Sequence, residues 1–551
     1  MSVLNSFRWP LVAALMALFT VSIVHGQENF FGDSTDDDAA FESDSTDSFG
    51  SDSSGGFGSD STDSTTEEDP AVVIEQINTA LDDIKATRKA EDYEGAMEKI
   101  RALMEQHPTN GYAQYSCGLE MGRCHLGMGN ESLAMRLFSD LLVAPGIMSV
   151  PNIYSGAYVE IGKAKVEGGN YLEAVDDFTE AVQVDPNNAE AHHYLGKANF
   201  LQVITSPGGG MDATSFAGFR AAMSSISKAI EVDPEYGEAY LDRGRVLIRM
   251  RNPKFAVQDH EKAVQFLGQD SDAMGDLAFT YRSSAKAEAN KKDFDQAKVI
   301  SDYRKSIQSM DTYLKHHNVN EEQKPWDDSS PLDIPPHSVL IARAEAKVDL
   351  GDEQSSNAMY EDAIKDCDSF LRIAHIGPAE KSQGYYVRGL ALRMLNRLDE
   401  AVDDLTKSID NAKQTQQATY AGQAYLRRGI ILFRQGKYHE AIKDFDDATF
   451  ANSPIQADPR AMLWLGFCHA RLGDLDSASR AYTSAIRVYS DFVPAYMNRG
   501  LLRMKTGRFA DAYDDFNSVI RLDPGNKSAA KYRDAAKKYA DQINDSVTAS
   551  F

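Results

Sequence analysis

The sequence predicts an all-α solenoid of stacked helix hairpins, about eleven repeats long, on three observations. The pattern of residues 155–188 restarts roughly 34 residues downstream and recurs along the chain; self-similarity at that period marks stacked units that cannot bury their apolar faces alone. Within Ser155 to Asn188, small residues (Ala157, Gly162, Ala174, Ala181) alternate with large ones (Tyr158, Ile161, Tyr171, Phe178). They fall in two helical runs separated by Gly168-Gly169-Asn170. At 551 residues, finally, the chain exceeds the size at which one compact core keeps growing, so several domains or a solenoid are required.

The segment before the repeats divides in two. Residues 1–26 carry one basic residue, Arg8, an apolar run from Leu11 to Val24, and Val24-His25-Gly26 ahead of Gln27. A bilayer span needs about 20 apolar residues. The shorter run with small side chains at its end reads as a cleaved secretory signal, with no stable membrane span after cleavage. An exported, periplasmic or extracellular protein is therefore expected. From Gln27 to Asp69 there are 14 Asp or Glu, no Lys or Arg, and Phe30, Phe31, Phe41, Phe49 and Phe57 in a Ser/Thr/Gly background. So little apolar surface cannot offset the ordering entropy, and 27–69 reads as a disordered acidic linker. Its Asp-Ser-Thr-Asp wording offers carboxylates for weak Ca²⁺ binding. It lacks the glycine and distal glutamate of an ordered loop, so a solvated spacer is the favoured reading. Removing Arg8 and these 14 acids from the formal charge of -26 leaves -13 on residues 70–551. A chain this acidic does not suit nucleic acid.

The repeat pattern resembles the tetratricopeptide repeat. That family places a large residue at position 4 and glycine at 8 of helix A, then alanine at 20, an aromatic at 24, alanine at 27 and proline at 32 in helix B. Here these are Tyr158, Gly162, Ala174, Phe178, Ala181 and Pro186. Aligned on those positions, a first arm covers 70–317, with glycines Gly122, Gly162, Gly196 and Gly244, and a stretch at Ser206-Pro207-Gly208-Gly209-Gly210 lengthens its fourth unit. Pro325, Pro331, Pro335 and Pro336 around Trp326 forbid helix, and 318–337 is placed as a linker between arms. The second arm, 338–525, has an irregular unit with Tyr360, Ala363 and Cys367. Four clear units follow, carrying Gly389, Gly429, Gly466 and Gly500. Residues 526–551 form a capping helix and tail, with Ala529, Tyr532, Ala536 and Tyr539 on one stripe.

Position 7 is arginine in four units, Arg243, Arg388, Arg428 and Arg499, and in each of them position 23 is aspartate: Asp259, Asp404, Asp444 and Asp515. Where position 7 is Leu195 or Leu465, position 23 is Ser225 or Ala481. An ion pair joining the two helices of each hairpin is expected, against the alternative of an arginine ladder for an anionic ligand. Ile161 with Asp177 is the exception.

The resemblance implies a concave groove lined by helix A positions 2, 5, 6, 9, 12 and 13. In the first arm these positions include Glu160, Lys163, Glu190, Asp242, Arg245 and Asp276, a mixed polar set. In the last four repeats they supply the candidate binding residues Tyr386, Arg393, Arg427, Phe433, Arg434, Trp464, Phe467, Arg471 and Asn498, an apolar track with basic residues beside it. That composition suits a protein or peptide partner with apolar anchors and some acidic character. The family's terminal-carboxylate clamp requires Asn and Lys or Arg in three successive repeats, and Asn498 stands alone, so that activity is not expected. The acidic linker is a candidate occupant of the groove in cis.

No Gly-x-Ser-x-Gly, His-Glu-x-x-His or Gly-x-x-x-x-Gly-Lys motif occurs, and Cys117, Cys124, Cys367 and Cys468 have no metal-ligand spacing. The expectation is a protein-interaction scaffold without catalytic residues, cofactor or metal. A periplasmic chaperone-like adaptor for unfolded export substrates is the alternative.

Overall fold

The computed structural model describes residues 69–206, 213–269, 272–291, 293–317, 332, 334–415, 419–451 and 458–548. The signal segment 1–26, the acidic linker apart from Asp69, and most of 318–337 with Trp326 lie outside them. Among the described residues no helix is long and apolar enough to cross a membrane.

The regular elements are helices in hairpin pairs. In order they are α1 Pro70–Lys89 with α2 Tyr93–Gln106, α3 Gly111–Gly127 with α4 Glu131–Leu142, α5 Pro151–Glu167 with α6 Tyr171–Val184, and α7 Ala189–Thr205 with α8 Ala213–Val232. Next come α9 Gly237–Arg249 with α10 Pro253–Leu267, α11 Ala273–Ala289 with α12 Gln296–His317, and α13 Pro336–Gln354 with α14 Asn357–Arg372. The last four pairs are α15 Pro378–Met394 with α16 Leu398–Ala412, α17 Thr419–Arg434 with α18 Tyr438–Ala451, α19 Pro459–Leu472 with α20 Leu475–Val488, and α21 Val493–Lys505 with α22 Phe509–Leu522. The helix α23, Lys527–Thr548, closes the array. The described residues thus hold eleven hairpins and a cap, as the repeat count requires.

Local chemistry sets these boundaries. Proline occupies the first turn of α5, α10, α13, α15 and α19, where its missing N–H costs nothing. Asn110, Asn188 and Asn526 cap α3, α7 and α23 by accepting from Ala113, Ala191 and Ala529 N–H at 3.0–3.1 Å. Between the helices of a pair the chain turns through a left-handed residue, Gly169 at φ 76° and Gly473 at φ 83° among them. Several hairpins close where the aromatic of helix B meets the glycine of helix A; at Gly196 and Gly389 the residue met is Ile226 or Leu405. A Cβ at Gly162 would lie 2.6 Å from Phe178 Cε1, and one at Gly466 2.3 Å from Tyr482 Cε1. Phe178 is completely buried by that approach, which contributes on the order of 1.5–3 kcal/mol. The four cysteines are buried thiols that fill gaps between helices.

The helices form two compact units whose sequence boundary falls between Thr280 and Tyr281, inside α11. The described helices on either side of 318–337, α12 and α13, both belong to the second unit. There α12 and α13 pack on one another through Val299, Tyr303, Ala346 and Leu350. The Tyr313 hydroxyl donates to the Ile334 carbonyl at 2.8 Å, and the Arg343 guanidinium to Asp311 at 2.7 Å. Proline stops a helix locally, but the 22-residue α12 keeps enough apolar surface to seat the helix that follows.

Candidate functional site in the helix A rows

The four Arg–Asp pairs form inside their hairpins. Arg243 grips Asp259 with two bonds of 2.8 Å, Arg388 grips Asp404 at 2.6 and 2.9 Å, and Arg428 grips Asp444 at 2.9 and 2.7 Å. Arg499 reaches Asp515 at 2.7 Å. Each guanidinium also stacks 5.5–5.6 Å from the tyrosine at position 4 of its own helix: Tyr240, Tyr385, Tyr425 or Tyr496. Its remaining nitrogen donates backwards to helix B of the preceding repeat, to Ser227, Asp368, Thr406 or Thr483 respectively. These arginines are therefore committed to the scaffold, which disposes of the anion-ladder alternative. A fifth pair, Arg343 with Asp366 at 3.0 and 2.7 Å, went unread. Its partners are 23 residues apart rather than 16, so a fixed offset misses it. Asp177, opposite Ile161, pairs with Lys165 at 2.7 Å instead.

The mixed polar set of the first arm is a self-neutralising ladder along the helix A row. Within the first unit, Arg88 holds Glu120 at 2.8 Å, Arg123 bridges Glu120 and Glu160 at 2.8 and 2.7 Å, and Lys163 holds Glu190. Farther on, His193 and Asp242 are joined at 2.8 Å, and Arg245 bridges Asp242 and Asp276 at 3.0 and 2.8 Å. Glu120 and Asp242 are each only 2% exposed. Burial pushes the Asp242 carboxyl up, but Lys197, His193 and Arg245 together hold it well below the usual carboxylate range. Charges this well matched leave a ligand little to pair with in that row.

The last four repeats differ. Phe433 and Phe467 are 9% and 7% exposed, and Tyr386 is buried against Tyr420 with ring centroids 5.5 Å apart. Leu426, Ile430 and Leu463 are buried too. The exposed apolar track expected from the sequence is therefore corrected: most of its members pack along the array, because aromatic residues of neighbouring helices close over them. Trp464 is the half-buried member. Its indole meets Phe433 and Phe467 edge to face at 5.2 and 5.3 Å and stacks on Phe445 at 6.1 Å. Arg393 and Arg427 are half-buried and already engaged within the protein. The half-buried Asn498 amide donates to the Pro494 carbonyl of its own helix at 2.7 Å. Arg434 and Arg471 remain exposed, in the last turns of α17 and α19. Lys505, equally exposed at the same register position of α21, completes the row and was missed. Its signal was the recurrence of a cation at position 13 in three successive repeats.

Comparison with known proteins agrees with this architecture. Family models described as TPR repeat and Tetratricopeptide repeat match residues 162–203 and residues 426–478 and 469–527, respectively. DnaJ homolog subfamily C member 7 of Mus musculus is 22% identical over 380 residues, covering 67% of this chain and 67% of that protein. Against the Homo sapiens counterpart the figure is 21% over 66% of each, so the chain spans about two thirds of these relatives. Protein O-mannosyl-transferase TMTC2 of Homo sapiens is 32% identical over 97 residues, 17% of this chain and 12% of that protein. Among solved structures, the first TPR of Spaghetti (RPAP3) bound to the HSP90 peptide SRMEEVD has 24% identity and a TM-score of 0.20. That match covers 21% of this chain and 93% of that one. With the hairpins, the glycine–aromatic closures and the matched repeats agreeing, the chain is built of tetratricopeptide-type repeats.

Proposed function

We propose that this chain is a non-catalytic protein-interaction scaffold of an exported complex, taking a partner peptide along the helix A row of its last four repeats. One observation carries the reading. The half-buried Trp464 lies two turns before the exposed Arg471 on one helix A, and the exposed Arg434 ends helix A of the preceding repeat, whereas the helix A row of the first unit is filled by its own ion pairs. A half-buried indole is an apolar anchor, and cations on the same helix row select carboxylates near it. The partner that fits is a protein segment with an apolar side chain set among acidic residues.

The test is crosslinking of the protein in its native compartment, followed by identification of what is captured. One or two specific partners, lost on Trp464→Ala and on Arg434→Glu/Arg471→Glu, are expected. Capture of many unfolded chains by wild type and variants alike overturns this reading in favour of a chaperone-like adaptor. Export is checked on the same material by N-terminal sequencing: a mature chain starting at Gln27 is expected, and an intact Met1 on the purified protein overturns it.

A further inference from the structure

The hairpin of α9 and α10 closes on a histidine. Where Gly162 meets Phe178 and Gly466 meets Tyr482, a Cβ at Gly244 would run into Cδ2 and Nε2 of His260. An imidazole thus fills the space that an aromatic or aliphatic side chain fills in the neighbouring closures, and His260 is only 1% exposed.

Both ring nitrogens are engaged. Nε2 lies 3.2 Å from the Leu241 carbonyl of α9, and Nδ1 lies 2.8 Å from the Thr280 hydroxyl of α11, itself buried. A carbonyl oxygen only accepts, so Nε2 carries the proton and donates, while Nδ1 is bare and accepts from Thr280. The ring is therefore a neutral connector of three helices. A second proton, on Nδ1, would set a donor against a hydroxyl that now donates to it. The charged groups facing the ring leave such a cation little support. Asp276 of α11 is held by Arg245 of α9 at 2.8 Å, and Asp259, beside it on α10, is gripped by Arg243 of α9. Burial, helped by Arg245, holds the imidazole below its ordinary range against the pull of Asp276 and Asp259.

What this connector holds is the start of α11. Ala273 of that helix packs into a small cluster with Tyr240 and Ala263, backed by Leu241, Val264 and Leu267. Thr280 is the last residue of the first compact unit, so the bond from His260 ties the end of that unit to its own core.

We propose that His260 is an acid-sensitive latch: protonation of its Nδ1 breaks the bond to Thr280 and lets residues 273–280 lift from α9 and α10, baring the apolar surface of Tyr240 and Ala263. The fold accepts the neutral ring. The latch is therefore fully closed above the free imidazole value of about 6.5 and loosens as pH falls through it, because the opened state takes up a proton that the closed state refuses. One proton bound on opening raises the open population by up to about tenfold per pH unit.

Hydrogen–deuterium exchange of the full chain at pH 7 and pH 5, corrected for intrinsic rates and read by mass spectrometry, tests this. On going to pH 5 the amides of residues 273–280 are expected to lose about tenfold more protection in wild type than in His260→Phe or His260→Gln, neither of which titrates. Amides of α21 and α22 are expected to respond to pH alike in all three proteins. Equal loss at 273–280 in wild type and both variants overturns the proposal. A measurement on wild type alone guards against variants that fold poorly: exchange of the His260 C2 hydrogen reports the titration of that ring. A midpoint well below about 6.5 is expected, and one at or above it overturns the latch.

Discussion

Replacing Arg428 by leucine isolates the energetics that hold each hairpin together. Asp444 is 3% exposed and accepts both of its strong bonds from Arg428 at 2.9 and 2.7 Å. Removing the guanidinium strands a buried carboxylate, which costs about 3–5 kcal/mol. Removing both partners is another matter. Burial pushes the Asp444 carboxyl above its ordinary range despite the adjacent Arg428, so the arginine returns less than the cost of desolvating the carboxylate. The chain contains the control, because the repeat built from α19 and α20 has Leu465 and Ala481 at the equivalent positions and folds in the same way. Arg428→Leu/Asp444→Ala is thus expected to cost only about 1 kcal/mol, mostly from the lost bond to Thr406 and the lost stack on Tyr425. Urea unfolding followed by circular dichroism on wild type, both single variants and the double variant measures the coupling, expected near 3 kcal/mol. If the single Arg428→Leu change proves no more costly than the double, the carboxylate is not the buried liability described here.

Three further outcomes follow from the same geometry. Gly429→Ala should destabilise by about 1–3 kcal/mol despite alanine's better helix propensity, since the new Cβ would lie 2.8 Å from Phe445 Cε1; Gly436→Ala, where no atom lies within 4 Å but φ is 77°, should be costly through backbone strain alone. Urea melts compare the two. Asp242, whose carboxyl is held low in the folded state, contributes stability that is fully present above the unfolded value of about 3.9 and is lost as pH falls below it. Between pH 5 and pH 3 wild type should therefore lose about 1 kcal/mol more than Asp242→Asn in matched melts. Burial pushes the Cys117 thiol up to about 11 and the Cys468 thiol up to about 12, so neither should react with a thiol reagent at pH 8 until urea unfolds the chain. Labelling in the folded state followed by peptide mapping checks this.

How much of this could be read from the residues depended on whether the information was local. The hairpin period, the eleven units and the Gly162–Phe178 type of closure were legible because each repeats within about 34 residues. The Arg–Asp pairing was legible because both partners change together between repeats of one chain, as at Leu465 with Ala481. The first-arm ladder was not, since Arg123 finds Glu160 at 37 residues' separation and His193 finds Asp242 at 49. A one-dimensional reading sees only mixed charge there. Exposure along the groove was misjudged for a related reason. Whether Phe433 faces solvent is decided by Trp464 in the next repeat and Tyr438 across the turn, not by its own register. Proline at 331, 335 and 336 indicated a break in helix, but nothing in those residues indicates that Tyr313 and Arg343 would bind α12 and α13 together around it.

The backward-reaching nitrogen of each paired arginine makes the array less modular than its periodicity suggests. A unit whose helix A carries Arg388, Arg428 or Arg499 can follow only a unit that presents an oxygen where Asp368, Thr406 and Thr483 now stand. The junction between α18 and α19 lacks such a rivet because Leu465 cannot supply one. That junction is held instead by the packing of Trp464 on Phe433 and Phe445 of the preceding hairpin. An engineer wishing to transplant or shorten this solenoid would have to match those rings at one seam and the oxygens at the others.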